Sequence, residues 1–171
     1  MRWTSRAALV AAASIPLAAV APPASAATAS DVTYNYSVNG STVTNTITNN
    51  SGTPIGCATS LAPAPGGILP PVEDVLRAGQ SLYANGEVQP GTSTQTVTDV
   101  PDGSYVVLAS CGLTDPMIWW VSDYPGIADY LTQIPGLTAF TVQQESTVVT
   151  IPATTPPTGG NLPDPGAIFG S

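Results

Sequence analysis

From Asp31 onward, apolar and polar positions alternate: Val32, Tyr34, Tyr36 and Val38 are separated by Thr33, Asn35 and Ser37. A period of two turns one face of an extended chain apolar, so this stretch is predicted to be a half-buried β-strand. Asn39-Gly40 is a strong hairpin signal, and a two-residue turn there pairs Val38 with Ser41, Tyr36 with Val43, Tyr34 with Asn45 and Val32 with Ile47. A second turn is expected at Asn49-Asn50-Ser51-Gly52, leading into a short stretch with Ile55 and Cys57. Residues Ala62 to Pro71 carry too much Pro and Gly for regular structure and read as a loop. Val72 to Ala78 then reads as one or two helical turns stopped by Gly79.

Strand character returns at Ser81 to Ala84, before a second Asn-Gly at Asn85-Gly86, and again in the Thr-rich stretch Thr92 to Thr98. The run Ser104 to Ser110 is apolar on both sides, with Tyr105, Val107 and Ala109 on one and Val106 and Leu108 on the other. It is expected to form a central strand covered on both faces, delivering Cys111. Residues 112 to 137 are the least regular part, with Asp115-Pro116 and Ile127 to Leu131 as starts of short helices. Strands are expected at Leu137 to Val142 and Ser146 to Ile151, joined by a hairpin loop at Gln143-Gln144-Glu145. From Pro152 to Ser171, five Pro and four Gly in twenty residues with scattered apolar side chains read as a disordered tail. About seven short strands with frequent turns favour a single β-sandwich over Ala27 to Ile151.

Two stretches resemble extracellular immunoglobulin-like and related bacterial β-sandwich modules. Thr44 to Gly52 (TNTITNNSG) is similar to a strand and Asn-Ser-Gly turn of exported repeat domains. Val88 to Val106 runs from Val-x-Pro-Gly through a Thr-rich strand to Pro101-Asp102-Gly103-Ser104-Tyr105, similar to the entry into a late strand of such modules. The resemblance implies an all-β, immunoglobulin-like sandwich with short helical turns in its loops, and it implies no activity. It departs from antibody-type domains in two respects. Tyr105 stands six residues before Cys111 instead of two, and the tryptophans past the leader follow the second cysteine.

The N-terminus changes the picture from fold to location. Arg2 and Arg6 precede an apolar run from Ala7 to Val20, and Ala24-Ser25-Ala26 supplies small residues, so residues 1–26 read as a secretory signal peptide cleaved before Ala27. The run is short of the roughly 20 residues a membrane-spanning helix needs. No cysteine stands at the cleavage site to accept a lipid. Leu162 to Gly166 resembles a sortase signal, but Pro165 takes the place of threonine, so release is expected rather than anchoring. The leader and the near-absence of basic residues also look like exported actinobacterial proteins.

Beyond the leader one cation, Arg77, faces eleven carboxylates, a net charge of −10. Such an acidic chain is a poor partner for nucleic acid, which requires clustered Lys and Arg, and for anionic lipid headgroups. Cys57 and Cys111 are the only cysteines, and in an exported chain they are expected to pair. Closing that loop of about 54 residues contributes about 4 kcal/mol on chain-entropy grounds. Two buried free thiols are the alternative.

With no histidine and no lysine, the Ser-His-Asp, Cys-His, Ser-Lys and histidine-zinc arrangements have no parts. Carboxylate chemistry remains. Asp115, Asp123 and Asp129 lie among aromatic residues, as in a glycoside hydrolase, although the same residue type caps helices and begins turns. Asp99 with Asp102, or Glu73 with Asp74, would serve calcium only as sparse nuclei without the dense oxygen-ligand spacing of a recognised loop, and turn chemistry is the favoured explanation. Trp119, Trp120, Tyr124 and Tyr130 form the one feature that marks a candidate ligand-binding surface, unless they complete the core. Adjacent tryptophans on an extended segment point to opposite faces. The expectation is a secreted, non-catalytic module binding an unidentified envelope or extracellular ligand, without cofactor, metal or membrane span. A carboxylate-dependent polysaccharide hydrolase is the alternative.

Overall fold

The computed structural model describes residues 26–77, 80–145 and 148–152. The signal peptide and the Pro/Gly-rich tail expected from the sequence fall outside these residues, apart from Ala26 and Pro152. The alternating N-terminal segment forms β1 (Val32–Asn39) and pairs with β2 (Thr42–Asn49). The hairpin is present, but its register differs from the one expected: Val38 pairs with Val43 and Tyr34 with Ile47. Asn39 pairs with Thr42, so Gly40 and Ser41 form the turn, with Gly40 at φ 56°. Glycine occupies that left-handed conformation without the Cβ penalty other residues incur. Moving the turn by one residue preserves which side chains face inward, so Val32, Tyr34, Val43 and Ile47 are all buried.

β1 and β2 make a three-stranded sheet with β5 (Gly91–Val97), in the order β1-β2-β5. The second sheet has six strands. Its central pair is β3 (Ile55–Pro63) and β6 (Gly103–Leu113), flanked by β4 (Tyr83–Val88) beyond β3. On the other side of β6 lie β7 (Ile118–Asp123) at one end and β9 (Val148–Ile151) at the other. The remaining strand, β8 (Thr138–Glu145), runs parallel to β7. The two sheets stack as a β-sandwich.

Between the sheets lie two apolar clusters. One gathers Val32, Tyr34, Ile47, Ile55, Trp120 and Val142 around the two cysteines, and the other holds Val43, Leu61, Val97, Tyr105, Val107 and Ile151. A third cluster covers part of the outer face of the six-stranded sheet. There Val106, Leu108 and Val121 pack under α1 (Val72–Leu76) and α2 (Ile127–Leu131). β6 is therefore covered on both faces, and Tyr105 through Ala109 are all buried.

Four local expectations are corrected. Asn85-Gly86 lies inside β4, paired with Ala58 and Cys57, because the strand's continuous pairing and the inward Ala84 and Val88 outweigh a local turn preference. Asp115-Pro116 begins no helix. Leu113 pairs with Ile118, leaving only four residues between the strands, which form a turn. Ile118–Asp123, read as irregular, is strand β7. Finally, among the described residues β8 pairs with β7 and β9 with β6, so β8 and β9 do not form the hairpin expected across Gln143 to Glu145.

Candidate functional site

β7 divides the paired tryptophans. Trp120 points between the sheets, is fully buried and stacks on Phe140 with ring centroids 5.9 Å apart. Its Nε1 donates to the Thr28 carbonyl (2.8 Å), and the Tyr34 hydroxyl donates to its own carbonyl (2.7 Å). Tyr124 is also buried, with its hydroxyl donating to the Pro70 carbonyl. Of the four aromatic candidates, only Trp119 and Tyr130 reach the surface, at 37% and 39% exposure. Tyr130 sits on the short helix α2, away from the sheet strands.

Trp119 faces outward, directly across from Gly112 of β6. Its indole lies so close that a Cβ on Gly112 would sit 2.4 Å from Trp119 Cδ1 and 2.9 Å from the Ile118 carbonyl. No other residue type fits there without moving the ring or the backbone. Strand register continues the row outward, Gly112 pairing with Gly56, and sets Ser110, Ala58 and Asn85 in the next row. The result is a groove of about 470 Å³ with a floor of glycine, alanine and serine, walled by Trp119 and edged by Asn85 and Thr114.

Why the described residues leave this part of the sheet open follows from residue size. Over Leu108 and Val121 the outer face is apolar and is covered by the helices. Over Gly56, Ala58, Ser110 and Gly112 there is too little apolar side chain to recruit a cover. The groove is lined by no ionisable side chain. The nearest carboxylate along β4, Glu87, accepts a hydrogen bond from Gln89 Nε2 (2.6 Å).

Beneath the floor lies the disulfide. Cys57 and Cys111 are bonded, with Cα atoms 4.0 Å apart, and stand directly opposite one another on β3 and β6 with side chains in the inter-sheet core. It ties neighbouring strands of one sheet and does not span the two sheets. Ser122 secures β7 where that strand leaves β6. Its hydroxyl accepts from the Ala109 amide (2.9 Å), donates to the Ala109 carbonyl (3.2 Å) and meets the Tyr36 hydroxyl at 2.7 Å. Burial raises Tyr34 well above the ordinary tyrosine value and pushes Tyr36 up to about 12.

No protein-family model, curated protein or solved structure matches the chain.

The carboxylates fall elsewhere. Asp123, at the end of β7, and Asp129, on α2, line one cleft of about 550 Å³ around Tyr124 and Gly126. Asp115 lies in the β6–β7 turn and does not line that cleft. Both cleft carboxylates are solvent-exposed. Among the described residues no cluster of three or more Asp, Glu or Cys stands ready to hold a metal ion, and no helix is long and apolar enough to cross a membrane.

The sequence singled out Trp119, but the residues that complete its groove are Gly56, Ala58, Asn85, Ser110 and Gly112, which carry no catalytic or ligating signature. Small outward residues facing one another across β3 and β6 were the available signal, and reading it requires the strand register.

Proposed function

We propose that this chain is an exported, non-catalytic binding module of the cell envelope or extracellular space, and that its ligand docks on the outer face of the six-stranded sheet beside Trp119. The N-terminal pattern of charged, apolar and small residues supports export, and the disulfide fits an oxidising compartment. One observation carries the recognition site. Trp119 packs directly over a glycine, partly in solvent, at the wall of an uncharged groove that the other described residues leave uncovered. Rigid, partly exposed aromatic side chains at a concave surface are the usual anchors of binding energy.

The second reading, a polysaccharide hydrolase, rests on Asp123 and Asp129 sharing a cleft. It is the weaker one because a carboxyl acting as general acid is set up by a desolvated, apolar surround, and both of these stand in solvent. The two readings separate in one experiment. The secreted chain is titrated with isolated envelope fractions and assayed for release of reducing sugar, using Trp119→Ala beside an Asp123→Asn/Asp129→Asn pair. Binding weakened about tenfold or more by Trp119→Ala and unaffected by the aspartate pair is expected. Sugar release abolished by the aspartate pair would replace the module by the enzyme.

A further inference from the structure

The groove beside Trp119 extends further than its first depression. Ala58 and Ser110 also line a second one, of about 310 Å³, bounded by α1 and by Tyr83. Tyr83 pairs with Ser60 and points to the same outer face, and it is 56% exposed. The Trp119 row and the Tyr83 row are four residues apart along β4, and β7 and β4 are three strand spacings apart. At about 3.3 Å per residue and about 4.8 Å per strand, the two aromatic side chains stand roughly 20 Å apart on one continuous sheet face.

Building on the binding-module reading, we propose that the ligand is a neutral polysaccharide chain, laid diagonally across β7, β6, β3 and β4 with one sugar against Trp119 and a later one against Tyr83. Each end of the track carries an exposed aromatic ring. The electropositive C–H faces of a pyranose pack against the electron-rich face of such a ring, and nothing in that contact requires charge. Between the rings, the low floor of Gly56, Ala58, Gly112 and Ser110 admits a flat chain close to the backbone. Asn85, Ser110 and Thr114 offer amide and hydroxyl groups suited to sugar hydroxyls, and Ser60, whose hydroxyl donates to the Leu108 carbonyl (3.3 Å), offers an acceptor.

Charge selects against the alternatives. The first depression has no ionisable lining, and the only cation in the second, Arg77, is held by Asp74 at 3.3 Å. With a net charge of −10 beyond the leader, the chain repels anionic polymers and anionic lipid surfaces. A shallow, open floor of small residues also offers no deep apolar pocket for an acyl chain.

The test is retention of the secreted chain on immobilised amylose, cellulose, mannan, arabinan and galactan. Polygalacturonate and anionic phospholipid vesicles are run alongside, and solution titrations follow with disaccharides and longer oligosaccharides of whichever polymer is retained. Binding to at least one neutral polymer is expected, weakened about tenfold or more by Trp119→Ala. Tyr83→Ala should weaken binding several-fold for long oligosaccharides and leave disaccharide binding unchanged, since only a chain long enough reaches it. Because Trp120 is buried, a ligand-induced shift in tryptophan emission should disappear in Trp119→Phe, whose fold is checked by its melting curve. Gly112→Ala, which displaces the indole without deleting it, should weaken binding as well.

Failure of wild type to bind any neutral polymer overturns the glycan assignment. Trp119-dependent binding to the vesicles or to polygalacturonate instead overturns it too, while leaving the module and its site standing. Neutral-polymer binding indifferent to both Trp119→Ala and Gly112→Ala overturns the site beside Trp119, and with it this inference, while leaving a binding module whose surface lies elsewhere.

Discussion

At the scale of single residues, the sandwich routes a chain of polar side chains through its core. Asn45 of β2 is fully buried and donates through Nδ2 to the Thr59 hydroxyl (2.8 Å), which donates to Gln95 Oε1 (2.8 Å). Gln95 Nε2 then donates to the Cys57 carbonyl (3.0 Å), so three residues from three strands join the two sheets and end beside the disulfide. Asn45 Oδ1 has no partner among the described residues. Thr59 is the hinge of this chain, because it is both acceptor and donor. Thr59→Val keeps the shape but leaves an amide donor on Asn45 and an acceptor on Gln95 without partners in an apolar interior. The expected cost is about 2 kcal/mol, measured as a lowered denaturant midpoint at unchanged slope. A triple change of Asn45, Thr59 and Gln95 to apolar residues of like size should recover much of that loss, because removing all partners together leaves nothing unsatisfied. A Thr59→Val protein as stable as wild type would show that the bridge contributes no net stability.

At the scale of elements, strands with one wet face were legible and strands with two covered faces were legible only in part. Alternation identified β1 and placed Val32 and Tyr34 inside, and the double-sided run at 105–109 identified β6 as central. β7 was missed because Ile118, Trp119, Trp120 and Val121 are apolar in succession. Such a run shows no period of two when one face meets the core and the other meets a glycine and a helix. The turn signals were half informative. Asn49 does organise its turn, accepting from the Ser51 amide (3.0 Å) and donating to the Thr53 carbonyl (2.8 Å), whereas Asn85-Gly86 was absorbed into a strand by its neighbour β3. The groove was legible only as one tryptophan, since its floor exists only once β3 and β6 are in register.

That register gives the disulfide its role. It bonds Cys57 to Cys111 at the point where the floor residues Gly56, Ala58, Ser110 and Gly112 surround it, four positions with little side-chain packing of their own. Replacing both cysteines by alanine should lower stability by about 4 kcal/mol, read from denaturant titration. Thiol reagents should label neither cysteine in unreduced, denatured wild type. Labelling of both there, or a loss below about 1 kcal/mol in the double variant, would contradict the chain-entropy account.

At the scale of the whole molecule, the charge inventory dictates how stability follows pH. The sequence holds no histidine and no lysine, so between the carboxylates and the tyrosines only the α-amino group titrates, and stability should be nearly flat across the neutral range. The alkaline side behaves differently. Tyr34 and Tyr36 are both raised, first of all by burial, Tyr36 to about 12, while in the unfolded chain each returns to about 10. Below pH 10 both states hold these phenolic protons and neither tyrosine changes the balance. Above it the unfolded chain releases them while the folded chain keeps them, so stability falls as pH rises from about 10 through about 12. The two hydroxyls donate or bind where the sheets meet, Tyr34 to the Trp120 carbonyl and Tyr36 to Ser122, so ionisation in place would put a phenolate in the core. Chemical unfolding at successive pH values should give a midpoint that is constant up to pH 10 and then declines. Phenolate absorbance recorded on the native protein should show Tyr34 and Tyr36 titrating only as the fold is lost. Tyr36→Phe should begin less stable, having lost its bond to Ser122, yet decline less steeply above pH 10. If Tyr34 and Tyr36 ionise near pH 10 with the fold intact, the inter-sheet core is open to solvent and the layered architecture does not hold.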